Sequence, residues 1–356
     1  MDLDETHIPG RTREKTQLAG KFVLLIAPRF FGYEEDIAAE LRRRGAFIDV
    51  LHDRPFSTPV MKAVTRTAPK LVMKMVDRLY LKTLSDVNPG YYNIILVVNG
   101  QTLSGVMLQR LRAMFPSAQY ILYMWDSFRN RRSAIENLRY FDTLFSFDPD
   151  CAREYGMKWR PMFFSRERPN KSNARAKFDL SFIGTAHTDR FAVVSALTKY
   201  LGKEITFYRY MYLQAPWVYY AYRVTNPAFV GASIDGFHFI PLSRAEMVSV
   251  LFDSEAILEI EHPMQNGLTV RAFEAMGASR KLVTTNAHIR NYDFYNPNNI
   301  CVIDRRNPVI PRSFFGTEYQ SIHPNVYRKY SIVAWMDDIL GYSDLDFKQP
   351  PSDVSD

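Results

Sequence analysis

Cysteine is nearly absent, with Cys151 and Cys301 the two in 356 residues and no CxxC spacing. That excludes a disulfide scaffold and a thiolate zinc site, and it fits a reducing compartment. No apolar run approaches the ~20 residues that span a bilayer. The opening MDLDETHIPGRTREKTQ lacks the apolar core of a signal peptide. No helix-turn-helix, RRM or zinc-finger pattern is present, so nucleic acid is not an expected partner. Internal repeats and low-complexity tracts are lacking too. These absences lead us to expect a soluble, cytoplasmic chain, at most peripheral on the inner face of the plasma membrane.

The chain is 47% hydrophobic and 14% aromatic, enough for two packed domains at this length. Its +7 charge is uneven. There are 24 Lys and Arg against 18 Asp and Glu up to Ser165, but 21 against 20 beyond it. A basic first half suits an acidic neighbour, and an anionic lipid surface or glycan fits better than nucleic acid.

A strand–helix–strand rhythm starts at KFVLLIA (21–27), continues through EEDIAAELRRRG and AFIDVLHD, and recurs at YYNIILVVNG, SGVMLQRLRAMF, AQYILYMWD and FDTLFSFD. Continuous apolar strands alternating with helices predict a parallel sheet covered on both faces. This makes 1–19 a flexible leader, 20–165 a Rossmann-like acceptor domain and 166–177 a polar linker. A second α/β series over 178–341 runs through FDLSFIG, EITFYRY, FHFIPLS read as a strand, RAEMVSVLFDS, AILEIE, LTVRAFEAMGA and KLVTTN. The helix near 330–340 is expected to return to the first domain, and 342–356 reads as a disordered tail. The predicted fold class is α/β, GT-B, with two Rossmann-like domains facing each other across a cleft.

The richest segment is EIEHPMQNGLTVRAFEAMG (259–277). A strand ends in Glu259, Glu261 and His262, then turns through Gly267 into a helix. Backbone N–H groups at such a helix start suit a diphosphate. Arg271 can add a charged contact and Glu274 can accept ribose hydroxyls. The alternative is an ordinary i,i+3 surface pair and a permissive glycine.

This run resembles the donor-binding segment of GT-B glycosyltransferases. More narrowly, HPMQNGLTVRAFEAMGASRKLVTTNAHIRNYDFYNPNNICVID resembles bacterial lipopolysaccharide and capsule biosynthesis proteins related to CgeB-like glycosyltransferases. GYEEDI, FSFDPDCAREYGMKWRPMFF, FDLSFIGTAHTDR and FHFIPLSRAEM carry the likeness across about 20–340. The resemblance implies a nucleotide-sugar donor, a glycan or lipid-linked acceptor, and no cofactor or metal. The implied donor-binding residues are Gly184, Thr185, Arg190, Pro241, Ser243, Glu261, His262, Gln265, Gly267, Leu268, Thr269, Arg271 and Glu274. The sequence departs from the Glu-x7-Glu pattern of retaining enzymes, because Asn266 stands eight before Glu274. Inversion or retention therefore stays open.

SFIGTAHTDR (181–190) is a second candidate phosphate wall, with His187 placed to donate to a leaving phosphate. Thr188 as a helix cap beside a solvated His187 is the alternative. Carboxylates past strand ends are candidate bases, Asp126 first and Glu34 second. Asp148-Pro-Asp150 mimics a metal-binding DxD but reads better as a turn with an Asp cap. Lys62, Arg66, Lys70, Lys74, Arg78 and Lys82 recur every four residues beside an apolar stripe, with Pro69 expected to split or kink the helix. This basic stripe is either a membrane and acceptor surface or a solvated face. A GT-B-fold epimerase or hydrolase, or a non-catalytic scaffold subunit, are the competing functions.

Overall fold

The computed structural model describes residues 17–53, 69–128, 132–165, 176–263, 265–343 and 347. The expected linker lies almost wholly outside the described residues, as do most of the leader and tail. Two compact units result. One takes the chain to Ser146, then Cys151–Trp159 and Met336–Leu345; the other takes Phe147–Asp150 and Arg160–Trp335.

The first unit holds β1 (Phe22–Ala27), α1 (Tyr33–Arg43), β2 (Phe47–His52), α2 (Pro69–Leu84), β3 (Ile94–Val98), α3 (Gly105–Met114), β4 (Gln119–Met124), β5 (Thr143–Ser146), α4 (Pro149–Glu154) and β6 (Lys158–Trp159). All neighbours in the order β2-β1-β3-β4-β5-β6 are parallel. β3 is buried at every position, as a doubly covered strand requires. Acids open α1 and arginines close it, matching the helix dipole, and Gly45 beyond it takes a positive φ of 95°. Arg44 is fully buried, bonded to Glu40, Asp337 and Gln17, so the residues after Met336 are pinned to the first unit. α2 is described from Pro69 onward, and the part of the basic stripe before Pro69, with the expected split or kink there, lies outside the described residues.

The second unit holds β7 (Phe178–Thr185), α5 (Arg190–Leu201), β8 (Phe207–Tyr212), α6 (Pro216–Thr225), α7 (Arg244–Asp253), β9 (Ser254–Glu259), α8 (Val270–Gly277), β10 (Lys281–Thr284) and β11 (Ile300–Val302), and α9 (Ile332–Ile339) divides between the two units at Trp335. Its parallel order is β11-β10-β9-β7-β8. FHFIPLS is not a strand. Only the bridge Tyr212 to His238 forms there, before Pro241 ends the pairing.

These orders fix where ligands can go. In the first sheet the order reverses between β1 and β3, and in the second between β7 and β9. Crevices in open parallel sheets lie past the carboxyl ends of strands at such reversals.

Candidate functional site

The second unit's reversal collects the loop after β7 and the loop after β9. His187 and His262, one from each, have ring centroids 6.0 Å apart. Thr188 sits between them and α5 with a φ of 55° and turns its hydroxyl to the His187 carbonyl, so it does not cap the helix. Asp189 is the N-cap, and its side chain makes no cap bond but pairs with Arg305 at 2.7 Å.

Arg305 is the residue that sequence reasoning missed. Its guanidinium bonds Asp189, the Glu261 carboxylate and the Glu261 carbonyl, tying the ends of β7 and β9 together. Thr285, past β10, donates its hydroxyl to Glu261 as well. Glu261 is thus a member of an ion network at the ends of β7, β9 and β10. Arg190 also bonds the backbone of this region. Its Nε donates to the Ile260 carbonyl at 2.8 Å and Nη1 to that of Thr185 at 3.3 Å. Burial pushes the Arg190 pKa down to about 10, with Glu259 and Glu261 opposing that shift.

Glu259, at the end of β9, accepts hydroxyl bonds from Thr284 and Thr269. Burial, reinforced by Glu261, pushes its pKa up to about 7. One of its oxygens, Oε1, has no hydrogen-bond partner among the described residues.

The glycine turn differs from expectation. The Asp148 carboxylate accepts from the backbone N–H of Asn266 at 3.1 Å and of Gly267 at 3.2 Å, so these amides already hold an internal anion. Asp150 accepts from the Asn266 side chain. The Asp-Pro-Asp triplet is therefore committed to the turn. Among the described residues no group of three or more His, Cys, Asp and Glu has metal-binding geometry. A Cβ on Gly267 would stand 2.8 Å from the Phe147 ring and 2.9 Å from its carbonyl oxygen. Gly267→Ala should therefore destabilise the chain by about 1–3 kcal/mol in chemical denaturation.

Past the turn, Leu268 is buried core and Thr269 precedes α8 without capping it. The first amides of α8 have no intrahelical acceptors, as at any helix start. Arg271 and Glu274 form a 2.6 Å pair whose side chains are only 16% and 20% exposed, a sheltered pair instead of a solvated one. Gln265 donates to the Gly267 carbonyl and shapes the turn. Ser243 and Glu246 form a complete capping box on α7, so Ser243 is a cap, while Pro241 is exposed. Nearby, the Tyr210 and His238 rings stack 3.9 Å apart at 5°. Gly184 lies in β7 beneath the Phe182 ring, followed by Thr185.

In the first unit, Glu34 is buried and accepts the Phe30 N–H at 3.2 Å, a role inside its own turn. Asp126 follows β4 and is half-buried. Its neighbour Trp125 donates its N–H to Asn99, which adopts a φ of 67° past β3. Phe30 and Trp125 rings lie 6.0 Å apart across this reversal.

The chain matches no family model and no curated protein sequence. Solved structures do resemble it. Anabaena Alr3699/HepE in complex with UDP and glucose aligns with a TM-score of 0.57 at 11% identity, over 90% of this chain and 99% of that one. AviGT4, a glycosyltransferase involved in avilamycin A biosynthesis, gives 0.54 at 12%, over 90% and 96%. A glycosyltransferase from Rickettsia africae gives 0.52 at 10%, over 91% and 100%. The fold is GT-B. In this GT-B chain the loops at the second unit's reversal carry His187 and His262 and lead into α8, while Arg190 and Glu261 bond the backbone and side chains at the ends of β7 and β9.

Proposed function

We propose that this chain is a glycosyltransferase that binds a nucleotide-sugar in its second unit and transfers the sugar to a glycan or lipid-linked acceptor of a bacterial surface polysaccharide or lipopolysaccharide. The observation that carries the reading is the β7–β9 reversal, whose loops bring two imidazoles within 6.0 Å and lead into α8 with its sheltered Arg271–Glu274 pair. The α8 amides and Arg271 suit the diphosphate, Glu274 the ribose, and His187 the leaving phosphate. The loop at Pro241, beside the Tyr210–His238 stack, suits the nucleobase. Asp126 serves as the base for the acceptor hydroxyl, since Glu34 is occupied by its own turn.

No metal is required in this reading, because Asp148 and Asp150 are engaged with Asn266 and Gly267. The acceptor meets the chain at α2, where Lys74, Arg78 and Lys82 are exposed beside Met75 and Leu79, each 41% exposed. Such a face suits an anionic membrane surface. Lys62 and Arg66 lie outside the described residues, and the Lys70 side chain is likewise not described. No described helix is long and apolar enough to cross a membrane.

Calorimetry with UDP-glucose, the ligand of one HepE complex, gives the first test. Glu274→Ala and Arg271→Ala should each lose about 1.5–3 kcal/mol of donor affinity with the fold intact. Turnover should survive EDTA. Unchanged affinity in both variants would return the pair to a structural role, and loss of turnover on chelation would reinstate Asp148 and Asp150.

A further inference from the structure

α6 (Pro216–Thr225) presents two opposite faces. Val218 and Tyr219 are buried, the Tyr219 ring lying 5.4 Å from Phe237 in the second unit's core. Trp217, Tyr220 and Val224 recur at i, i+3 and i+7 on the other face, with Ala221 between them, and these three large side chains are 53%, 61% and 87% exposed. Val230, 80% exposed, extends the stripe from the following turn. That turn is fixed to the helix, because Tyr219 and Arg223 both donate to the Ala232 carbonyl, at 2.9 and 3.0 Å. The stripe is therefore a built surface on ordered backbone.

Its charge setting is one-sided. Between Glu204 and Asp235 the sequence holds Arg209 and Arg223 and no acid. Glu204 is paired with Arg312 at 2.5 Å, and Asp235 lies close to Ser233 at the far end. Both arginines are exposed. Four apolar side chains fall far short of the roughly 20–30 residues per side that a stable dimer uses. Exposed Trp and Tyr on a short apolar stripe, with the exposed cation Arg223 on the same helix and no acid in it, are instead the composition of a helix lying at a lipid headgroup boundary.

We infer that α6 and the turn after it dock the second unit on an anionic bilayer surface, with Trp217, Tyr220, Val224 and Val230 entering the headgroup–acyl boundary. This contact is independent of the basic face of α2 and of any transferase activity. A second weak contact matters physically, because one marginal membrane signal gives only reversible binding whereas two together give stable attachment.

Tryptophan fluorescence of the full chain tests it directly. Of the four tryptophans, Trp159 and Trp335 are buried and Trp125 is half-buried, whereas Trp217 is exposed. Vesicles of phosphatidylglycerol with brominated acyl chains should quench the wild-type emission, and phosphatidylcholine vesicles should do so far less. Trp217→Phe should sediment with the anionic vesicles like wild type yet lose most of the quenching. Replacing Trp217, Tyr220 and Val224 together by Ser should cut the vesicle-bound fraction by at least about tenfold, the effect of withdrawing even one large apolar side chain from a buried position. Its circular dichroism melt should stay in place, since all three side chains are exposed. Sedimentation without Trp217-dependent quenching, or no sedimentation at all, would overturn the inference. So would a concentration-dependent dimer in light scattering that the Ser variant abolishes, because the occupant would then be a second copy of the chain.

Discussion

Asp126→Asn should lower sugar transfer about 10²–10⁴-fold, the range for removing a positioned general base, while calorimetric affinity for the donor stays unchanged. The reasoning rests on where β4 ends. Asp126 follows a strand buried over its last five residues, next to the β1–β3 reversal of the first sheet, and it is half-buried. Glu34, the other candidate, is buried and accepts the Phe30 amide. Glu34→Gln should therefore act mainly on stability and on the shape of the aromatic loop. If Glu34→Gln abolished transfer with the fold intact and Asp126→Asn did not, the two roles would exchange. If neither variant changed transfer, the first unit would not supply the base, and an epimerase or hydrolase acting on the donor alone would become the better reading.

The strands that were legible in the sequence are those whose burial is complete. β3, β4 and β9 read as short apolar runs because both faces of a parallel sheet are covered. FHFIPLS misled because alternating aromatics imitate a strand, while its register beside β8 lasts for one bridge before Pro241. α6 was missed for the opposite reason. PWVYYAYRVT is rich in aromatic and β-branched residues, which favour strands, and its periodicity emerges only when Trp217 and Val224 are seen to share an exposed face.

At the site, spacing was enough to find the glycine turn and the Arg271–Glu274 pair, which are local. It could not find partners across long separations. The Asp148 carboxylate reaches Gly267 over 119 positions, and Arg305 reaches Glu261 over 44 and Asp189 over 116. Nothing local in the sequence revealed the carbonyls that Arg190 bonds or the guanidinium that Glu261 bonds. What the fold adds is the reversal between β7 and β9, which turns separate motifs into one crevice.

That crevice carries its own pH signature through Glu259. Burial, reinforced by the neighbouring Glu261 carboxylate, pushes the Glu259 pKa to about 7, against the opposing pull of the Thr284 and Thr269 hydroxyls and Arg190. In the unfolded chain a glutamate titrates near ~4.3. Between those values the folded chain keeps a proton that the unfolded chain has released, so stability falls as pH rises through the window. The full loss above pH 7 is about 4 kcal/mol, taken at ~1.36 kcal/mol per pH unit of that window. Glu259→Gln copies the protonated carboxyl in shape and cannot ionise. The variant should be more stable than wild type by about 4 kcal/mol at pH 8, a gap shrinking to about 1 kcal/mol near pH 5. Urea denaturation at the two pH values measures both numbers. A variant no more stable than wild type at pH 8 would mean that ionising Glu259 costs the folded chain nothing, because Arg190 holds the charge. The same substitution also bears on the donor. Ionised Glu259 would place a negative charge behind the start of α8, where the diphosphate is proposed to bind, so donor affinity in wild type should weaken from pH 6 to pH 8. In Glu259→Gln that decline should flatten, because the proton no longer has to be supplied before the anion is accepted.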